Sequence, residues 1–534
     1  MSTNKRWAAG SPNAGLPAAS DSEPGRLQAA WSALRVALVG LCTSLTGGVV
    51  LVIGGTALPS PGLLLAVPVA LLGLALLMLS PAASFLLTAL VVPVERLGRL
   101  TNDDAMYTIS LMRIVGTITL FSLLLNAMLR RQRIHFGSAF WIYLAYLGIA
   151  LTGIFHTTHV LGTVRHCGAI VGNLLFLFLA TNLGRSQRLA RNAVAVWLLS
   201  TTLAAIYTII TWHFGPGVTD ADLGDTDARF STVLTDGSEW ESLDTVARAT
   251  GPTSHSAVYG MNLILALPLF LYFLKHTASR AWKVAILLAL GLTLYNVLLT
   301  NTRAVIIVAA ATIALCGLRG MFRISAVGLV AALIAASAML PLVPSAVWTR
   351  VLDSSNYSEA KSATLRARLE YWSAGMDIIS DNWLTGIGVG NQLEVPKHIN
   401  FVSAEETTVH NEFIFTAMEV GVFGWLVFFG FVALMYTAAR RAQAMAATRT
   451  ARHALNADFF IAVQVAMIAT LVFGAQVDVF HFPLKGWWLL AGLAFAQYRV
   501  MAEVQQLRQP PNLAPMPRIS NPHPRVNTHA SYNA

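Results

Sequence analysis

Charge is scarce in this 534-residue chain. Only 12% of its residues are Asp, Glu, Lys or Arg, against about 25% in an average globular chain, which argues against a soluble enzyme. Cysteine is almost absent too: Cys42, Cys167 and Cys316 all fall inside apolar runs, so no disulfide framework is implied. No Walker or G-x-S-x-G pattern stands in the short charged connectors, and there is no H-E-x-x-H. No histidine pair has metal-ligand spacing beside carboxylates, so neither a cofactor nor a metal is expected. Acidic residues are outnumbered 26 to 36 by Lys and Arg, a net charge of +10.

What the chain has in abundance is apolar sequence: 55% of residues, a mean hydropathy of +0.60, and recurring runs of about 15–25 residues. Such a run crosses about 30 Å of hydrocarbon as a helix, the conformation that satisfies its own backbone there. The fold class expected is an all-α polytopic integral membrane protein with about 12–14 transmembrane helices and two larger periplasmic loops. The spans are read at 33–55, 62–80, 82–94, 105–128, 139–154, 161–183, 190–213, 256–274, 281–299, 303–318, 323–343, 410–437, 457–475 and 483–499. The count falls to twelve if the second and third form one re-entrant hairpin about Ser80-Pro81.

The positive charge is not a nucleic-acid signal. It sits in short connectors: Arg130/Arg131/Arg133, Arg185/Arg188/Arg191, Lys275/Arg280/Lys283, Arg319/Arg323 and Arg440/Arg441/Arg449/Arg452, with Asp458 the one carboxylate nearby in sequence. Such clusters mark a cytoplasmic face. Seven regions follow: a disordered cytoplasmic tail, 1–32; an N-terminal transmembrane bundle, 33–213; an acidic periplasmic loop, 214–255; a second bundle, 256–343; a large periplasmic loop, 344–409; C-terminal helices, 410–499; and a Pro-rich cytoplasmic tail, 500–534. The first loop carries eight acids and only two cations, Arg229 and Arg248; the second carries eight acids and five basic residues.

Within the large loop, Leu365, Leu369, Trp372, Met376 and Ile379 recur at helical steps and predict an apolar stripe, with Arg366, Glu370, Ser373 and Asp377 opposite. This is either a packed surface helix with a solvated charged face or one whose Arg366 and Arg368 point at a substrate. Thr385-Gly386-Ile387-Gly388-Val389-Gly390-Asn391 has the wrong spacing for dinucleotide binding and reads as a glycine-built turn. The chain re-enters the membrane through His410-Asn411-Glu412-Phe413. A histidine at the mouth of a span either takes a proton from an attacking hydroxyl or caps the helix. Arg303, in Asn301-Thr302-Arg303-Ala304, either snorkels to the interface or binds a diphosphate with its fork of donors. Arg248, before the eighth span, serves either an ion pair or a ligand.

These residues resemble the O-antigen ligase and O-antigen polymerase superfamily of bacterial envelope glycan transferases. His410-Asn411, nine residues, Gly421, two residues and Gly424 reproduce a ligase pattern; Asn301-Thr302-Arg303-Ala304 matches its arginine turn. The run from Arg366 to Gly390, and His481-Phe482-Pro483 before Trp487-Trp488, complete the likeness, whereas Ile307 stands where the ligases' Arg-x-x-x-Leu has leucine. The resemblance implies a GT-C-like membrane glycosyltransferase in the bacterial inner membrane that needs no divalent metal. It would take a glycan from undecaprenyl diphosphate at the periplasmic face and pass it, with inversion, to an acceptor hydroxyl, with membrane lipids as surroundings. That acceptor is lipid A–core for a ligase or a lipid-linked glycan for a polymerase. His410 and Arg303 would be catalytic, and Arg248, Arg366, Arg368, Asn411 and Glu412 would bind substrate. A lipid-linked glycan flippase is the rival from another class; it predicts charges deep in many spans, whereas these cluster at span ends.

Overall fold

The computed structural model describes residues 71–94, 110–214, 248–253, 255–322, 358–391, 395, 409–448, 455–477 and 485–508, without the side chains of 358–367, 507 and 508. The regular elements of these residues are α-helices and two short 3-10 turns. In chain order the helices are α1 (Leu71–Leu79), α2 (Pro81–Val91), α3 (Leu111–Leu129), α4 (Ser138–Thr152), α5 (Val160–Leu183), α6 (Gln187–Phe214), α7 (Ser256–His276), α8 (Arg280–Leu299), α9 (Arg303–Leu318), α10 (Ser358–Asp381), α11 (Glu412–Ala447), α12 (Ala457–Gly474) and α13 (Lys485–Arg508).

Among the described residues, eight helices are long and apolar enough to cross a membrane: α3 to α8, α11 and α12. The protein is an all-α polytopic membrane protein. Among the described residues, α1 and α2 meet at a 112° bend at Ser80, as a broken span or a re-entrant loop does, and Pro81 cannot donate into a preceding turn; residues 62–70 of the expected second span lie outside the described residues. α9 has only 16 residues, and α13 carries Lys485, Arg499, Glu503 and Arg508, so it is more polar than the eight. The expected spans 33–55 and 323–343 lie outside the described residues, as do residues 1–32 and 509–534 and most of 214–255.

α7 lies at the centre of the bundle, buried continuously from Ser256 to Phe270. It packs on α6, α8, α9 and α12; α11 packs on α4, α12 and α13. An aromatic knot of Tyr143, Phe431 and Trp488 joins α4, α11 and α13, with ring centroids 4.6–5.4 Å apart. α8 is peripheral and turns Trp282, Val284, Leu287 and Leu288 outward, as a lipid-facing helix does.

The basic connectors converge on one end of the bundle, stitched together across helices. Arg185 bonds Glu503 at 2.9 Å, and Asp458 receives both Lys275 at 2.9 Å and His276 at 2.7 Å. Arg319 donates to Gln464, which donates to Gln443, and Gln497 donates to the Gly184 carbonyl. Asp458 is therefore not the only carboxylate serving the basic blocks; Glu503, distant in sequence, serves Arg185. These contacts fix the direction of α5, α7, α9, α11, α12 and α13, and the opposite ends of α7, α9 and α11 carry Arg248, Arg303 and His410.

Candidate active site

α11 starts at a well-made cap. The side-chain oxygen of Asn411 accepts from the backbone N–H groups of Phe413 at 3.0 Å and Ile414 at 3.4 Å, satisfying two of the donors that open a helix. The capping residue is thus Asn411 and not His410. Half-buried His410 precedes the cap with φ 52°, a left-handed backbone that a non-glycine residue holds only when its surroundings impose it. Its ring centroid lies 6.5 Å from that of Tyr371 on α10. Glu412 follows as the first helical residue and is only 2% exposed; its Oε1 accepts from the Thr416 hydroxyl at 3.0 Å.

The spacing from His410 to Gly421 has a structural meaning, because α11 is broken there. Gly421 sits at φ 65°, ψ −175° inside the helix, and a Cβ on it would collide with the Leu384 carbonyl. In a regular helix Val422 N–H would bond the Met418 carbonyl; here it bonds Trp383 O at 2.8 Å. The freed Met418 carbonyl takes the N–H of Ile387 at 2.9 Å, and the Glu419 carbonyl takes that of Gly388 at 3.0 Å. The Glu419 side chain then accepts from Gly390 N–H at 2.6 Å. The expected glycine turn is therefore present, with Gly386, Gly388 and Gly390 all at positive φ, and its role is to fill the hydrogen-bond gap of a broken membrane helix. Irregular backbone at that depth survives only where protein satisfies it. The same turn abuts the α4–α5 connection, where Thr158 donates to Asn391 at 3.1 Å.

Arg303 is the first residue of α9 and is half-buried. Its N-cap, Thr302, makes no side-chain capping bond; the Thr302 hydroxyl turns instead to Thr300 O at 3.0 Å and Ser256 Oγ at 3.4 Å. Half-buried Arg248 is joined to the same corner: Ala249 N–H bonds Leu299 O at 3.0 Å, and Ala249 packs on Tyr295 and Leu299. The structure thus gathers the segments of Arg248 and Arg303 at adjoining ends of α7, α8 and α9. His410 stands at the same end of the bundle, just before α11; α9 and α11 both pack on α12.

α10 is the helix expected in the large loop, and its packed face overlaps the predicted stripe only in part: Trp372 and Ile379 pack against the buried cluster. Tyr371, Ala374 and Ile378 are buried, the latter two in a cluster with Val409, Phe415 and Met418, while Leu369 and Met376 are more than half exposed. Small Ala374 and Gly375 let α10 lie close to α11, so tertiary contact, not hydrophobicity alone, chose the face. Gly375 meets Ile414 and Val409. Arg368 is half-buried; the side chain of Arg366 lies outside the described residues, as does His481.

A small, partly open and mostly apolar pocket went unnoticed in the sequence. Tyr143 and Tyr146 of α4, His166, Ala169, Ile170 and Asn173 of α5, Val389 of the glycine turn, Glu412, Glu419 and Phe428 of α11 and Trp488 of α13 line it. Glu419 is 1% exposed. The available signal was the rule that a carboxylate inside an apolar span marks a site; Glu419, seven residues after Glu412, met it.

No curated protein matches the chain at a significant level. The O-Antigen ligase family does match, over residues 288–429. That segment runs from α8 through the break of α11 and holds Arg303, Arg366, Arg368, His410, Asn411, Glu412, Gly421 and Gly424. Over that segment this multi-pass chain is similar to the O-Antigen ligase family.

Proposed function

We propose that the protein is an O-antigen ligase of the bacterial inner membrane, with both termini cytoplasmic, the site periplasmic and an architecture of the GT-C kind. It transfers a glycan from undecaprenyl diphosphate to a hydroxyl of lipid A–core. The observation that carries the reading is that the family segment, 288–429, contains both Arg303 and His410, at the bundle end opposite the basic face. Basic connectors favour the cytoplasm, which supports a periplasmic position for that opposite end.

In this mechanism the acceptor hydroxyl oxygen attacks the anomeric carbon as His410 takes its proton. The bond from that carbon to the diphosphate oxygen breaks, and the electron pair leaves with the diphosphate. Arg303, aided by Arg248, holds the growing negative charge on the leaving group. Attack from the face opposite the diphosphate inverts the anomeric centre. Arg366 and Arg368 serve as ligands for the glycan or its phosphates, and buried Glu412 orients the acceptor. Asn411 acts chiefly through its cap, which sets the angle at which His410 leaves α11.

The test is a strain lacking the native gene, complemented with wild type, His410→Ala or Arg303→Ala at matched protein levels. Lipopolysaccharide and extracted lipid-linked oligosaccharide are compared on gels. Loss of glycan on lipopolysaccharide with accumulation of long lipid-linked chains is expected. Accumulated single repeat units would instead make the protein a polymerase, and wild-type behaviour of both variants would remove these residues from the chemistry.

A further inference from the structure

Asn301 is the residue where α8 stops. It follows the last turn with φ 46°, and its N–H bonds Leu298 O at 3.0 Å. A left-handed residue of this kind ends many helices, and glycine is its commonest occupant. The backbone therefore has no need of an asparagine. The side chain is 2% exposed, and its amide nitrogen is buried without a hydrogen-bond partner.

Buried polar groups are almost always paired, and the exceptions call for an explanation. The other orphaned atoms among the described residues are tryptophan N–H groups and the carbonyl oxygens of Asn126 and Gln497. Those two amides are already tied through their nitrogens, Asn126 to Met78 O and Gln497 to Gly184 O. Asn301 contributes the only orphaned amide nitrogen in that set. It stands two residues before Arg303, at the start of a 16-residue helix whose N-cap side chain makes no capping bond. A helix start, a guanidinium and an unused amide N–H together favour an anion with several acceptor oxygens.

We infer that the Asn301 side-chain amide donates to a diphosphate oxygen of the lipid-linked donor, beside Arg303. The inference rests on the transferase reading. The unpaired N–H becomes a charge-assisted bond when the diphosphate arrives, and the same bond holds the leaving group as charge develops on it. Asn301 is thus a substrate-binding residue whose worth appears only with ligand present.

The test uses the purified full-length protein in detergent with farnesyl diphosphate as the probe. Affinity and the unfolding midpoint without probe are measured for wild type, Asn301→Gly, Asn301→Asp and Arg303→Ala. Glycine keeps the left-handed backbone and removes the amide; aspartate keeps the shape and sets a negative charge against the probe. The expected result is a loss of affinity of about 10-fold for Asn301→Gly and about 100-fold for Asn301→Asp. The unfolding midpoint of Asn301→Gly should stay level or rise, because an unpaired buried group has gone. If Arg303→Ala loses the probe while whichever Asn301 variants fold bind as wild type does, the inference is overturned and the transferase reading stands. A fall in the Asn301→Gly midpoint at unchanged affinity makes the amide a packing group and also overturns it. Equal binding by wild type and Arg303→Ala overturns the diphosphate site itself.

Discussion

The two ends of the bundle solve the same problem in opposite ways. At the basic end, Arg185, Lys275, His276 and Arg319 all have partners on other helices, and the one left-handed non-glycine residue there has an ordinary cause. Arg131, at φ 50°, closes α3: its N–H bonds Met128 O, and Gln132 N–H bonds Ala127 O, the usual pair at a helix C-terminus. The other end holds left-handed His410 outside any helix terminus of that kind, the orphaned amide of Asn301, two buried carboxylates and a helix broken at Gly421. Folding alone favours the first arrangement. Strain and unmet polar groups persist where binding or chemistry makes use of them.

The sharpest way to break this comparison is to mend the helix. Gly421→Ala puts a Cβ against the Leu384 carbonyl and forces a left-handed alanine. It should lower stability by about 2–4 kcal/mol and dislodge the glycine turn. The readouts are the unfolding midpoint in detergent and protease cleavage within 383–391; an unchanged midpoint would show that the break is incidental.

Glu419 sharpens the comparison at the level of one hydrogen bond. Glu419→Gln keeps an oxygen for Gly390 N–H and should cost under about 1 kcal/mol, whereas Glu419→Ala leaves a donor orphaned and should cost about 1–3 kcal/mol. Both are read from unfolding midpoints. A large loss in the glutamine variant at normal stability, seen only in glycan transfer, would move Glu419 from latch to chemistry.

The smallest effect is expected at the basic end. Glu503→Ala breaks a pair whose side chains are 34% and 42% exposed, so stability should change by less than about 1 kcal/mol and transfer should stay at the wild-type rate. Its mark should appear on His135. Partial burial, then the cations Arg185 and Arg499, hold that imidazole below its usual pKa, and Glu503 opposes them. Removing Glu503 should lower the His135 pKa further, as followed by NMR titration. The folded state then binds fewer protons than the unfolded chain as pH falls through the ordinary histidine range, so acid lowers stability slightly more in this variant.

Hydropathy and charge alone make the membrane class and the common basic end legible, since both depend on composition along single helices. The histidine motif is legible too, but its physical content is not. That Gly421 breaks α11, and that Ile387, Gly388 and Gly390 repair it, depends on hydrogen bonds between segments about thirty residues apart. α10 is half legible for a related reason: Trp372 and Ile379 pack as the period predicts, but Leu369 and Met376 stay exposed while Ala374 and Ile378 pack because they face α11. Arg303 announces itself by charge, and Asn301 cannot, because an asparagine after a helix looks like an ordinary stop until its amide is found buried and unpaired.

The central claim, that the end opposite the basic face performs the transfer with His410 as its base, is tested most directly with purified components. Wild type and His410→Ala, each with a normal unfolding midpoint, are given a lipid-linked glycan and the acceptor, and released lipid diphosphate is measured against pH. Loss of a general base should slow release by about 10²–10⁴-fold and change how the rate depends on pH. Release at the wild-type rate with the same pH profile would contradict the account.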